Sequence, residues 1–170
     1  LGGAGTQTAA LAIGGNVPPS SAKTEAYNGT NWTEVNDLNT ARQLFGAAGA
    51  TNTAALAFGG SPSTKTITET WNGTNWTEVN DLNTAIKSLA GAGTNTSALA
   101  FGGETPPNSA LTESWNGTNW TETADLGTAR QKLAAAGAAN TSALAFGGDP
   151  GSTATEEWLD GAQVKTISTS

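Results

Sequence analysis

Apolar residues along this chain recur with the two-residue period of strands, in short runs broken by turn-forming residues. The clearest run, Ala54-Ala55-Leu56-Ala57-Phe58-Gly59, alternates small and large apolar side chains, as a strand buried on at least one face requires. The run before it, Gln43-Leu44-Phe45-Gly46-Ala47-Ala48-Gly49, is rich in small residues and reads as an inner strand, with Ala50-Thr51-Asn52-Thr53 turning the chain between the two. Ser61-Pro62-Ser63-Thr64-Lys65 reads as a loop. Thr66 to Trp71 and Asn75 to Asn80 then flank Asn72-Gly73, a pair that favours tight turns with positive φ and so predicts a hairpin. Asp81-Leu82-Asn83-Thr84-Ala85 leads onward from these four strands.

The same pattern recurs along the whole chain. Diglycines stand at Gly14-Gly15, Gly59-Gly60, Gly102-Gly103 and Gly147-Gly148, and the aromatic before the hairpin turn stands at Tyr27, Trp71, Trp115 and Trp158, both series stepping by 43 to 45 residues. A worn fourth copy of the hairpin runs from Thr155 through Asp160-Gly161 to Val164. A repeat of this length holding four short strands is the signature of a propeller blade. The expectation is therefore an all-β fold, one β-propeller domain over 1–170 with four-stranded antiparallel blades at 1–36, 43–80, 87–124 and 131–170. The chain enters at an inner strand and leaves from an outer one, so a closed ring would have to be held by side chains between first and last blades. Three arrangements remain open: four blades closing alone, two chains joined as an eight-bladed ring, or these blades as the last of a longer polypeptide. Inner strands such as Gly46-Ala47-Ala48-Gly49 and Ala134-Ala135-Ala136-Gly137 permit close approach near an axis, which favours a tight ring.

The order of an inner strand, a strand ending in Gly-Gly, a strand ending in an aromatic, a Trp-bearing strand and a loop with Arg resembles the kelch repeat. The resemblance is carried by Phe58-Gly59-Gly60, Trp71, Trp76 and Arg42 in the clearest copy, and it spans essentially the whole chain. The wording Ala4-Gly5-Thr6-Gln7-Thr8-Ala9-Ala10-Leu11-Ala12, together with Trp71-Asn72-Gly73-Thr74-Asn75-Trp76-Thr77-Glu78, is similar to kelch-like repeats in virion proteins of phages of marine cyanobacteria. Three features depart from the pattern: Ile86 stands where Arg42 and Arg130 stand, Val164 replaces the second Trp, and kelch rings commonly have more than four blades.

Composition narrows the chemistry. Cysteine, histidine and methionine are all absent from the 170 residues, which removes thiol chemistry, soft metal ligands, the usual near-neutral acid/base and any Ser-His-Asp triad. Kelch-like copper oxidases need His, Tyr and Cys, and sialidase-like propellers need a Tyr nucleophile with an arginine cluster, whereas this chain has Tyr27 as its one tyrosine and Arg42 and Arg130 as its arginines. A net charge of -7 with scattered basic residues argues against nucleic-acid partners. No apolar run is long enough for a membrane-spanning helix.

Each recurring side chain has a structural and a functional reading. Trp32, Trp71, Trp76, Trp115, Trp120 and Trp158 serve as sugar-stacking platforms or, as their recurrence favours, fill the wedge between blades with the indole N–H bonded. Glu25, Glu69, Glu113 and Glu156 recur two residues before the Tyr27 or Trp position, and pairing with Arg42 and Arg130 across blades is favoured over glycosidic acid/base work. Asp37, Asp81 and Asp125 suit turn capping better than calcium, which wants more oxygens than one carboxylate per loop supplies. The longer loops, in contrast, differ between blades while the strands barely change, and in a meander they share one face. That face, with Asn16, Lys23, Ser61, Lys65, Glu104, Asn108 and Asp149, is the expected partner or glycan surface. No catalytic residue, metal or cofactor is expected. The function implied is a non-enzymatic structural or adhesion module, virion-borne or extracellular, contacting other virion proteins or host glycan; the alternative is a lectin-like propeller.

Overall fold

A computed structural model describes residues 1–159 and 163–167 and shows an all-β chain whose four antiparallel sheets form a four-bladed β-propeller. Blade 1 consists of β1 (Gly2–Thr6), β2 (Ala9–Asn16), β3 (Ser20–Tyr27) and β4 (Trp32–Val35). Blade 2 consists of β5 (Gly46–Thr51), β6 (Ala54–Phe58), β7 (Thr68–Trp71) and β8 (Trp76–Val79). Blade 3 consists of β9 (Ala90–Gly93), β10 (Ala98–Glu104), β11 (Asn108–Trp115) and β12 (Trp120–Glu122), and blade 4 of β13 (Ala134–Ala139), β14 (Ser142–Phe146), β15 (Thr155–Leu159) and β16 (Gln163–Ile167). In every blade the strands pair in chain order, first to second, second to third, third to fourth.

The inner strands begin later than the apolar pattern suggested. Leu44, Ser88 and Lys132 take φ of 54°, 58° and 52°, so the chain bends there before β5, β9 and β13 start. Gln43, expected within the inner strand, instead forms an isolated bridge to Ser61. The hairpins also differ in detail from a two-residue Asn-Gly turn. Asn72 N donates to Asn75 O, and Asn72 Oδ1 accepts from the backbones of Thr74 (2.9 Å) and Asn75 (2.8 Å), so four residues connect β7 to β8. Only Gly73 takes positive φ, at 92°, while Asn72 contributes a side-chain turn of the Asx kind.

The diglycines answer to a backbone crossing. At the end of β10 the register shifts between Phe101 and Gly103, and Gly103 N donates to Arg130 O (2.8 Å) in the segment leading to the next blade. Gly60 N meets Ile86 O (2.8 Å) and Gly15 N meets Arg42 O (3.0 Å) in the same way. A Cβ on Gly102, at φ +54°, would lie 2.6 Å from Arg130 O, so only glycine lets the linker pass this close.

No blade holds a core of its own; the core lies between blades. Leu56 and Phe58 of blade 2 cluster with Leu82 of the following linker and with Leu89, Ala98, Trp115 and Trp120 of blade 3. Leu99, Phe101 and Leu126 cluster likewise with Leu133, Ala143, Ala145 and Trp158 of blade 4, and Leu11, Ile13 and Leu38 with Phe45, Ala55, Ala57, Trp71 and Trp76 of blade 2. The large residues of each second strand thus face the following blade and its alanines face the preceding one. For this reason β6 and β10 are buried on both faces. Inner strands pack β1 on β5, β5 on β9 and β9 on β13, with no comparable packing of β13 on β1. Glycines and alanines of all four inner strands line a central cavity of about 150 Å³.

A paired substitution tests this account of the diglycines. Gly102→Ala and Gly147→Ala both place a side chain at positive φ, but a Cβ at Gly147 would meet nothing within 4 Å. Gly147→Ala is expected to cost about 1 kcal/mol from backbone conformation alone, and Gly102→Ala clearly more because the linker must move. Equal losses in denaturant unfolding would contradict the crossing as the reason for the glycine.

Candidate functional site

The recurring glutamate marks the electrostatic centre of each junction; two of the three pair it with an arginine and the middle one does not. Glu69 and Arg42 are both fully buried, with Arg42 Nη2 to Glu69 Oε1 at 2.9 Å. Arg42 also donates to Ile67 O (2.7 Å) and Ala57 O (3.2 Å), while Glu69 accepts from Asn39 N, Asn39 Nδ2 and Thr40 N. The carboxylate therefore closes the end of β4's linker onto blade 2. Burial pulls the Arg42 guanidinium below its ordinary value, opposed by Glu69, and Arg42 Nε has no hydrogen-bond partner among the described residues. Arg130 repeats the pairing with Glu156 at 3.0 Å.

Glu113 sits in the same place without an arginine, because Ile86 occupies that position. Its oxygens still accept from Asn83 N (2.8 Å), Asn83 Nδ2 (3.0 Å) and Thr84 N (3.0 Å). Burial raises the Glu113 carboxyl above its usual value, and these hydrogen bonds only partly oppose it. Glu25, at the start of the chain, is exposed. Asp37, Asp81 and Asp125 each accept a backbone N–H, from Thr24, Thr68 and Thr112, at 3.1 to 3.2 Å, and no cluster of three or more acidic residues suited to a metal occurs among the described residues.

Of the tryptophans, Trp71, Trp76, Trp115, Trp120 and Trp158 are buried. Trp71 Nε1 donates to Asn52 O (3.0 Å) and Trp115 Nε1 to Asn95 O (3.0 Å), tying each hairpin to the neighbouring turn within its blade. Trp76 Nε1 donates to Thr24 Oγ1 (3.1 Å) and Trp120 Nε1 to Thr68 Oγ1 (3.0 Å), each across a junction. Trp158 Nε1 is buried without a partner among the described residues. Trp32 differs from the packing read for this series: 49% of it is exposed, stacked only on Tyr27 with ring centroids 5.1 Å apart. Among the described residues nothing packs over it from the side on which blades 1 and 2 cover Trp76 and Trp120. Val164, which lies opposite Trp158 in the register that places Trp120 opposite Trp115, stands in the sixteenth strand, where side chains lie outside the described residues.

The residues expected to bind partners are more tied down than their loop positions suggest. Ser61 is buried and exchanges backbone hydrogen bonds with Gln43. Glu104 pairs with Lys87 through both backbone and side chain (3.4 Å), and Asp149 exchanges backbone bonds with Gln131. Asn108 Nδ2 reaches Asp149 O at 3.0 Å, linking the loops of blades 3 and 4. Lys65 is half-buried with its carbonyl on Ile86 N, and Lys23 pairs with Glu34 at 2.7 Å in the open. Asn16 is exposed. The accessible parts of this face are thus the loop tips, Val17 to Pro19, Pro62 and Ser63, Pro106 and Pro107, and Pro150 and Gly151. A scan of protein-family models finds none that matches the chain, and a search of curated proteins finds no similar one.

Two measurements test the junction chemistry. Removing either partner of the buried pair, as Arg42→Met or Glu69→Gln, is expected to cost about 3 to 5 kcal/mol, and the double variant much less than the sum; additive losses would refute the coupling. Because the folded pKa of Glu113 is raised, the folded state holds more protons than the unfolded state in that window. Its contribution is favourable below the unfolded carboxylate range and is lost as pH rises through the folded value. Glu113→Gln should therefore gain stability relative to the parent between pH 4 and pH 7, as followed by urea unfolding; no change in the difference would contradict burial as the dominant cause.

Proposed function

We propose that the chain is a kelch-like, non-enzymatic propeller acting as a structural or adhesion module of a phage particle, presenting its loop face to other virion proteins or to a host surface. The observation that carries this reading is the contrast between scaffold and loops. Three junctions repeat the same glutamate, leucine and diglycine arrangement, while the loops after β2, β6, β10 and β14 differ in sequence and length on that common frame. Rigid scaffolds with variable loops are where recognition is usually placed. The absence from the sequence of cysteine and methionine, the readily oxidised residues, suits an exposed, durable part. The kelch and phage assignments rest on the wording of the repeats.

A lectin-like role is the second reading, and one observation favours it. Trp32 and Tyr27 form an exposed aromatic pair, a surface suited to the apolar face of a sugar ring.

The test is adsorption of the fluorescently labelled chain to cyanobacterial cells. Replacing the loop tips at 17–20, 62–64, 105–107 and 150–152 with Gly-Ser tracts is expected to abolish adsorption without lowering the melting temperature by more than a few degrees. Undiminished adsorption by the loop variant would overturn the loop-face reading, and loss of adsorption on Trp32→Ala with competition by free sugar would establish the lectin one.

A further inference from the structure

The two end faces of the array carry the two halves of a fourth junction. At every internal junction the incoming blade supplies the residue just before its inner strand, and at the first two it also supplies the tryptophan of its fourth strand. Trp76 and Trp120 bond to Thr24 and Thr68, and Trp120 meets Phe58 edge-on at 4.8 Å. Phe45, Leu89 and Leu133 lie over Gly14, Gly59 and Gly102 of the preceding blade, each close enough to touch a Cβ placed there.

Blade 1 carries the incoming half, uncovered among the described residues. Trp32 aligns with Trp76 and Trp120, and Leu1, 79% exposed, aligns with Phe45, Leu89 and Leu133. Blade 4 carries the receiving half, likewise uncovered among the described residues. Phe146 aligns with Phe58 and is 38% exposed, Thr155 aligns with Thr24 and Thr68, and Gly147 has an empty space where its counterparts are covered. The shapes are also opposite. The end of blade 1 shows the alanine side of β2, Ala10 and Ala12, whereas the end of blade 4 shows the bulky side of β14, Leu144 and Phe146.

We propose that blade 1 of one copy docks on blade 4 of a second copy, head to tail, with Trp32 Nε1 donating to Thr155 Oγ1 and its ring covering Phe146. Leu1 then covers Gly147. The occupant is a second copy because the chain itself bears, position by position, the surface that each exposed face receives at the internal junctions made by Trp76 and Trp120. The contact is heterologous: either face pairs with the other and neither pairs with itself. This association is independent of the loop face, and because it covers Trp32 it excludes sugar binding at the Trp32–Tyr27 pair.

The test is the mass of the native chain by sedimentation equilibrium from micromolar to millimolar concentration. A mass of twice 17.0 kDa or more at the upper end is expected. Trp32→Glu and Phe146→Glu should each hold the chain at a single-copy mass with unchanged circular dichroism, since both residues are exposed within one copy. Mixing the two variants should restore a two-chain species, because one retains an intact blade 4 and the other an intact blade 1. A single-copy mass for the unaltered chain throughout, association untouched by either substitution, or a mixture that stays single would each overturn the proposal.

Discussion

A four-stranded sheet of this length has two faces and no interior, so every blade depends on a neighbour to bury what it exposes. That dependence arranges the whole sequence. The bulky residues of the second strand, Leu56 and Phe58 or Leu99 and Phe101, face the following blade, and the alternating alanines face the preceding one. A knob side and a flat side on each sheet give the stack a direction. The tryptophan on the fourth strand reinforces it, reaching backward to a threonine hydroxyl one blade earlier at Thr24 and Thr68.

Polar groups had to follow the apolar packing into the junctions. Linkers such as Asn39 to Arg42 cross between blades with backbone N–H groups that no strand can satisfy, and a carboxylate from the next blade accepts them. The carboxylate then needs compensation of its own. Arg42 and Arg130 supply a guanidinium that is itself held by carbonyls, whereas at Glu113 the arginine is Ile86 and burial raises the carboxyl instead. Near-identical backbones thus accept either a charge pair or a lone acid, because the linker hydrogen bonds are common to both and the arginine is an addition to them. The middle junction gains apolar contact from Ile86 in exchange, within the same cluster as Leu82 and Leu89.

Much of this was legible in the residues. The diglycine and aromatic series set the blade count, and the all-β architecture followed from strand length and alternation. The Arg42–Glu69 and Arg130–Glu156 pairs could be anticipated because both partners recur at fixed places in the repeat. What the pattern could not show was where each repeat lacks a neighbour. Trp32 reads the same as Trp76 in sequence, yet one is half exposed and the other buried, since burial depends on the preceding blade and not on local wording. The start of the inner strands was missed for another reason: Leu44, Ser88 and Lys132 carry no glycine signal at their positive φ, and tertiary hydrogen bonds such as Ser88 N to Leu44 O hold them there. Ser61 belongs to a polar loop by composition, yet a backbone bridge to Gln43 draws it inward.

Stacked repeats ordinarily end in units whose outer face has turned polar. The wording of blade 4 departs from the repeat at Asp160-Gly161 and Val164, and among the described residues Trp158 Nε1 finds no carbonyl like those that Trp71 and Trp115 reach. The outward positions of β14 nonetheless keep Leu144 and Phe146. Blade 1 likewise keeps Trp32, although a polar residue there would cost no buried contact within the copy. Apolar knobs at one end and an alanine surface with a free indole at the other are the same complementarity that joins the internal blades.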